Sequence, residues 1–160
     1  MTTETTSIPV VTADALLHHW QGHRELTRRT IEAFPEDKLF TFSVGGMRTF
    51  GELVNEFLGM AVPIVDGVAT GKWVHFADEK PKTKSEALAM WDAHTAELNE
   101  KFPTIPAARF AEVDTAFGQW KMSGLGTIQY AIDNEIHHRG QGYVYLRALG
   151  IEPPPFWDRH

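Results

Sequence analysis

The octapeptide NEIHHRGQ, residues 134–141, places two imidazoles, two amides, a carboxylate and a guanidinium along two turns of what reads as a helix. Asn134 and His138 stand at i and i+4, the spacing that aims two side chains at one point from consecutive turns. A divalent ion is one occupant of such a point. Hydrogen-bonded packing is the commoner use of helical histidines, and residue types alone leave both open. Glu135 and His138 also match the Glu-x-x-His unit of di-iron bundles, but the chain has no second copy of it, so that chemistry is set aside. His137 lies about 100° around the axis from His138, which makes it a neighbour of such a site rather than a ligand.

The same helix separates into two arcs. Ile128, Ile132, Ile136, Tyr143 and Leu146 share one; Tyr130, Asn134, His137, His138, Gln141 and Tyr145 share the other. The second arc is polar yet holds no Lys, Asp or Glu, unlike a face meant for water. It is expected to line a cavity or a subunit interface, with Gln141, Tyr130 and Tyr145 shaping the wall. Arg139 falls in the apolar arc, where it should meet a buried carboxylate or carbonyl. Gly126, Gly140 and Gly142 each cost about 1 kcal/mol relative to Ala in a helix interior, which points to a close neighbouring backbone.

Composition narrows the chemistry. The 160 residues suit a single domain over 1–160, and five Trp with ten Phe supply bulky core material. A formal net charge of −6 gives no basic footprint, so nucleic acid is not an expected partner. No stretch approaches about 18 uninterrupted apolar residues, and no membrane span is expected. The opening MTTETTSIPVV lacks the basic segment and apolar run of a secretion signal, which leads to a cytoplasmic expectation. Cysteine is absent, which excludes disulfides, a cysteine nucleophile and thiolate ligation. A metal would have to rest on His, Asp, Glu and water. Outside the octapeptide, His18, His19, His23 and His94 read as packing or surface residues.

Four helices must position these groups. The first spans about Thr12 to Phe34 and is closed by Pro35. The second starts at RTFGELVNEF, where Thr49 and Glu52 have capping-box spacing. Its apolar stripe runs through Phe50, Leu53, Val54, Phe57, Ala61, Ile64, Val65 and Val68, with a kink expected at Pro63. A second capping box, Thr83 to Glu86, opens the third helix, which ends before Pro103. The fourth runs from about Leu125 to Leu149, with Gly150 as its cap. TIPAARFAEVDTAFGQWKMSG, ahead of it, is expected to form a short hairpin or an extended crossing.

The tail HHRGQGYVYLRALGIEPPPFWD resembles the C-terminal signature of the DinB/YfiT-like family, an HHRGQ-type element followed by YLR-x-x-G-x-x-P-P. RTFGELVNEFLGM is similar to that family's second helix, written around S-F-G-E-L. The resemblance implies an all-α, four-helix bundle with up-down-down-up connectivity, commonly a homodimer. It also implies a divalent metal held by three histidines, one on the second helix and two on the fourth. Carried over residue by residue, those positions fall on Glu56, Asn134 and His138, so one histidine of three is kept. Such a set favours Ni, Zn, Mn or Fe at reduced affinity.

The activity implied by the resemblance is that of a divalent-metal-dependent enzyme, a thiol-transferase or hydrolase acting on a small molecule. Any thiol must come from the substrate, because the chain has none. The alternative is a catalytically silent dimer that binds a ligand or partner without metal. A third reading is a structural dimer tied together through HHRGQ.

Overall fold

The computed structural model describes residues 10–74 and 80–159. Most of the opening segment read for a leader, and His160, lie outside the described residues. Helix α1 spans Ala13–Ala33, α2 Phe50–Thr70, α3 Lys84–Lys101 and α4 Gly124–Ala148. Local chemistry sets their starts. Thr12 accepts from the Ala15 N–H, and Ser123 from the Gly126 N–H. Both capping boxes form, Thr49 with Glu52 and Thr83 with Glu86. Pro63 sits inside α2 and the helix continues past it to Thr70. At the end of α4, Gly150 N–H donates to the Arg147 carbonyl and Ile151 N–H to that of Leu146.

The segment before α4 folds as a hairpin. Strand β1, Val113–Ala116, pairs antiparallel with β2, Trp120–Ser123, in register Val113 to Ser123 and Ala116 to Trp120. Two short 3-10 turns, Phe102–Thr104 and Ala107–Phe110, lead into it.

Helix α1 packs on α3 and α4, and α2 packs on the same two. The core divides into two clusters along the bundle. One gathers Trp20, Val65, Leu98, Phe102, Ile128 and Ile132; the other gathers Phe34, Phe50, Phe57, Trp91, Tyr145 and Leu146. Helix α2 feeds both, which explains why it alone among the described residues is long and apolar enough to cross a membrane. Its apolar side chains are spent on the bundle interior. None of the three glycines expected to meet a neighbouring backbone does so; at Gly142 the neighbour is a side chain, and an added Cβ would stand 2.5 Å from the buried Phe50 ring. Gly126 meets its own capping serine, and at Gly140 nothing lies within 4 Å. Nothing in the structure explains glycine at 140.

Candidate functional site

The site begins in the loop before α2. Met47 N–H donates to the Val44 carbonyl across a tight turn whose central Gly45 and Gly46 have φ of 63° and 72°. Both values favour glycine. The turn delivers Arg48 to the mouth of α2, directly ahead of the Thr49 cap. The Glu52 carboxylate is committed there, accepting from Thr49 N–H at 2.7 Å and Thr49 Oγ1 at 2.9 Å.

One turn further, Glu56 points toward α4. Its Oε1 accepts from Asn134 Nδ2 at 2.9 Å and lies 3.6 Å from His138 Nε2. Its Oε2 accepts from the Arg48 guanidinium. The structure therefore brings together Glu56, Asn134 and His138, the three residues singled out from the sequence, and adds Arg48. Burial alone would raise the Glu56 carboxyl, but the bonds from Arg48 and Asn134 outweigh it and hold the group below the usual carboxylate range. Burial lowers His138 despite the neighbouring Glu56. At neutral pH the pair is an ionised carboxylate beside a neutral imidazole.

The other members of the polar arc are spread out. His137 is exposed, its ring set edge-on to His138 at 4.9 Å between centroids. Gln141 is half-buried and interacts with His138. Tyr130 is about half exposed and lines a cavity. Tyr145 does not line that cavity: its ring is wholly buried in the core, and only its hydroxyl reaches out, donating to the Arg48 carbonyl at 2.8 Å. At roughly 100° per residue, Tyr145 lies on the same line as Asn134 and His138 but about two turns further along α4, at the level of the second core cluster. It fixes the backbone that carries Arg48.

The cavity encloses about 910 Å³ beside this cluster. Arg48, Glu52 and Glu56 stand in its wall; the rest is mainly apolar, with Met60, Ile64, Met90, Phe117, Trp120 and Met122. Lys80, Asn55, His94 and Thr127 complete its polar part, with Tyr130. Sequence reading misses Arg48 and the hairpin's contribution. The available signal was Gly-Gly-x-Arg immediately ahead of a capping box, a turn that aims a cation at a helix mouth.

A second polar cluster lies on the α1 side of α4. Glu135, 2% exposed, accepts from Trp20 Nε1 at 3.2 Å and from the Thr27 hydroxyl at 2.5 Å. Arg139, 5% exposed, donates to the His23 carbonyl and to Thr27 Oγ1, each at 3.0 Å, and stands 4.0 Å from Glu135. Arg139 thus meets both a carboxylate and a carbonyl, within its own chain. His23 is clasped at Nδ1 by Arg139 and at Nε2 by Arg159 of the tail. Burial first, then these two cations and His19, lower His23 to about 4. His18 and His19 are exposed, and His94 is half-buried.

As arranged, the α2 side does not fit a divalent ion. The Glu56 oxygens already face an amide NH2 and a guanidinium, whose charge opposes a second cation. No group of three or more His, Cys, Asp or Glu converges anywhere among the described residues. One atom runs the other way. Asn134 Oδ1 is buried without a hydrogen-bond partner, and turning the amide over would present it to Glu56 and His138.

The model of the DinB family matches residues 1–159. The uncharacterized protein YjoA of Bacillus subtilis (strain 168) is 23% identical over 150 residues, covering 92% of this chain and 97% of that protein. The crystal structure of DinB-like YjoA superposes with a TM-score of 0.75 at 20% identity, covering 91% of this chain and 99% of that one. A DinB-like protein from Bacillus cereus ATCC 10987 gives a TM-score of 0.72 at 18% identity, covering 89% of this chain and 95% of that one.

Proposed function

This chain belongs to the DinB family, and from that premise we propose that it is a small-molecule-binding member whose polar anchor is an internal ion pair instead of a resident metal. The observation that carries the reading is the cavity of about 910 Å³, mainly apolar, with the Arg48–Glu56 pair in its wall. Its size is that of pockets that enclose drug-sized ligands, and a few placed polar groups in an apolar wall give orientation. The test uses a neutral apolar dye, Nile red, with protein stripped by chelator. Saturable binding that survives stripping and is lost when Met60→Trp fills the cavity supports the reading. Binding that disappears on stripping and returns with metal overturns it.

A divalent-metal-dependent thiol-transferase or hydrolase is the second reading, favoured by the orphaned Asn134 Oδ1. It requires that amide to turn and Arg48 to leave Glu56. Elemental analysis after dialysis against Ni, Zn, Mn and Fe separately decides it. Near-stoichiometric metal, lost in both Glu56→Ala and His138→Ala, would establish it.

For the fold we propose a single domain with up-down-down-up connectivity. Side-chain pairings rise together along α1 and α4, with Trp20 on Glu135 and His23 on Arg139, and along α2 and α3, with Phe57 near Trp91 and Asp66 on Lys101. They run oppositely between α2 and α4, where Arg48 meets Tyr145 and Glu56 meets Asn134. A homodimer is also proposed, with the exposed Phe156 and Trp157 of the tail as its first place to look. Sedimentation at two concentrations would check it.

A further inference from the structure

We propose that the cavity selects an apolar organic anion, a carboxylate on a hydrocarbon or aryl body, and that Arg48 is the residue that reads its charge. The inference rests on the cavity being a ligand site. It names the chemistry of the occupant.

The side chains in the wall are balanced in formal charge but not in commitment. Glu52 and Glu56 supply two negative charges, and Arg48 and Lys80 two positive ones. Both acids are engaged inside the protein, Glu56 at both oxygens and Glu52 at Oε2 alone. Glu52 closes the α2 capping box through two bonds to Thr49. Glu56 is held on one oxygen by Asn134 and on the other by Arg48. Glu56 therefore offers no open oxygen to a cationic ligand, and Glu52 offers only Oε1, at an exposed carboxylate beside Arg48.

The bases stand differently. Arg48 has a planar fork of five N–H donors, and one of its nitrogens goes to Glu56. Its side chain is 49% exposed at the cavity wall, so donors remain for an incoming oxyanion. Such a fork is suited to a carboxylate, which it meets with two parallel bonds. Lys80 stands exposed on the same wall and adds a second positive charge.

The arrangement is also held in place. Tyr145, buried in the core, donates to the Arg48 carbonyl at 2.8 Å, and the Gly45–Gly46 turn fixes the approach from the other side. A guanidinium tied at its backbone and pinned at one nitrogen by Glu56 loses little freedom when it binds, which favours recognition. Beyond it Met60, Met90, Phe117, Trp120 and Met122 offer soft, adaptable apolar surface for the body of the ligand. An amine of the same shape would meet a guanidinium and an ammonium, with only the exposed Oε1 of Glu52 to pair with.

The experiment compares 4-phenylbutyrate with its amide and its amine, 4-phenylbutanamide and 4-phenylbutylamine, by competition against Nile red. The carboxylate is expected to bind at least 10-fold tighter than the amide, with the amine weakest and the preference shrinking as salt rises. Arg48→Gln should abolish the preference while leaving the amide's affinity in place. Arg48→Lys should keep part of it, and Lys80→Gln should lower it a few-fold. Circular dichroism and a melting curve on Arg48→Gln show that the fold is retained. Equal binding of carboxylate and amide, preference for the amine, or an unchanged preference in Arg48→Gln overturns the anion inference while Nile red still reports the cavity. Failure of Nile red itself to bind overturns the cavity reading beneath it.

Discussion

Helix α4 carries two polar pairs at the same i, i+4 spacing, one residue apart, and they meet opposite fates. Glu135 and Arg139 turn toward α1, where both charges are nearly fully buried and their contacts are internal. Asn134 and His138 turn toward α2, where Glu56 and Arg48 open onto a cavity and Asn134 Oδ1 is left without a partner. A rotation of about 100° separates a closed polar core from an unfinished one. The closed cluster is suited to hold two helices in register. The unfinished one keeps bonding capacity for something from outside.

The sharpest way to break that contrast is to remove one charge from the closed side. Arg139→Leu leaves the Glu135 carboxylate buried with hydrogen bonds from Trp20 and Thr27 and the charge of buried Arg24 to serve it. Removing one member of a buried pair costs about 3–5 kcal/mol. Urea denaturation should show a loss of that size. The double variant Glu135→Leu with Arg139→Leu should recover part of it, because the unpaired carboxylate is gone while buried Arg24 loses its support from Glu135. A single-variant loss under about 1 kcal/mol, the range of exposed pairs, would mean that the cluster is not closed.

His23 gives the same side a pH signature. Its folded value of about 4 lies below the usual histidine value of 6.5, so the unfolded chain takes up a proton first as pH falls. Stability should be fully present above pH 6.5 and decline toward about pH 4, with a slope approaching one proton. His94 and His138 are lowered too and contribute in the same direction. His23→Gln should remove the largest share of the slope. An unchanged pH profile would show that the ring is not buried between Arg139 and Arg159 in solution. Between the two sides, Gly142→Ala drives a methyl toward the Phe50 ring and should cost about 1–3 kcal/mol as overpacking.

How much of this is legible in the sequence depends on how local each device is. Helix starts are, because Thr49 with Glu52 and Thr83 with Glu86 settle them within four residues. The hairpin ahead of α4 is half legible: its β-formers and Gly118 point to it, but its pairing is tertiary. The carry-over that singles out Glu56 beside Asn134 and His138 comes from family spacing, since nothing local to α2 links position 56 with α4. The closed cluster is only partly visible. Arg139 in an apolar arc demands a partner, yet nothing in the sequence says that Trp20, His23 and Thr27 supply it from α1. Glu135 and His138 share a familiar spacing and still face different helices, because three residues advance only about 300° around the axis. Tyr145 shows the limit of the arc itself: one side chain can be core at its ring and site at its hydroxyl. Arg48 acts from a loop, where no periodicity marks it.

The smallest expected change in stability is the one that separates the readings of the open side. Glu56→Gln keeps a side chain of the same shape and an oxygen that can still accept from Arg48, but removes the charge. The pair is partly exposed, 49% for Arg48 and 26% for Glu56, so stability should shift by no more than about 1 kcal/mol. Ligand behaviour should move further than stability does. If Arg48 reads an anion, Glu56 is its internal competitor, and neutralising Glu56 should tighten 4-phenylbutyrate by about 3- to 10-fold, the equivalent of roughly 1 kcal/mol. If Glu56 instead anchors a divalent ion, the same substitution removes the single charged ligand of the set, and retained metal should fall. One variant, assayed for both, sends the two readings in opposite directions.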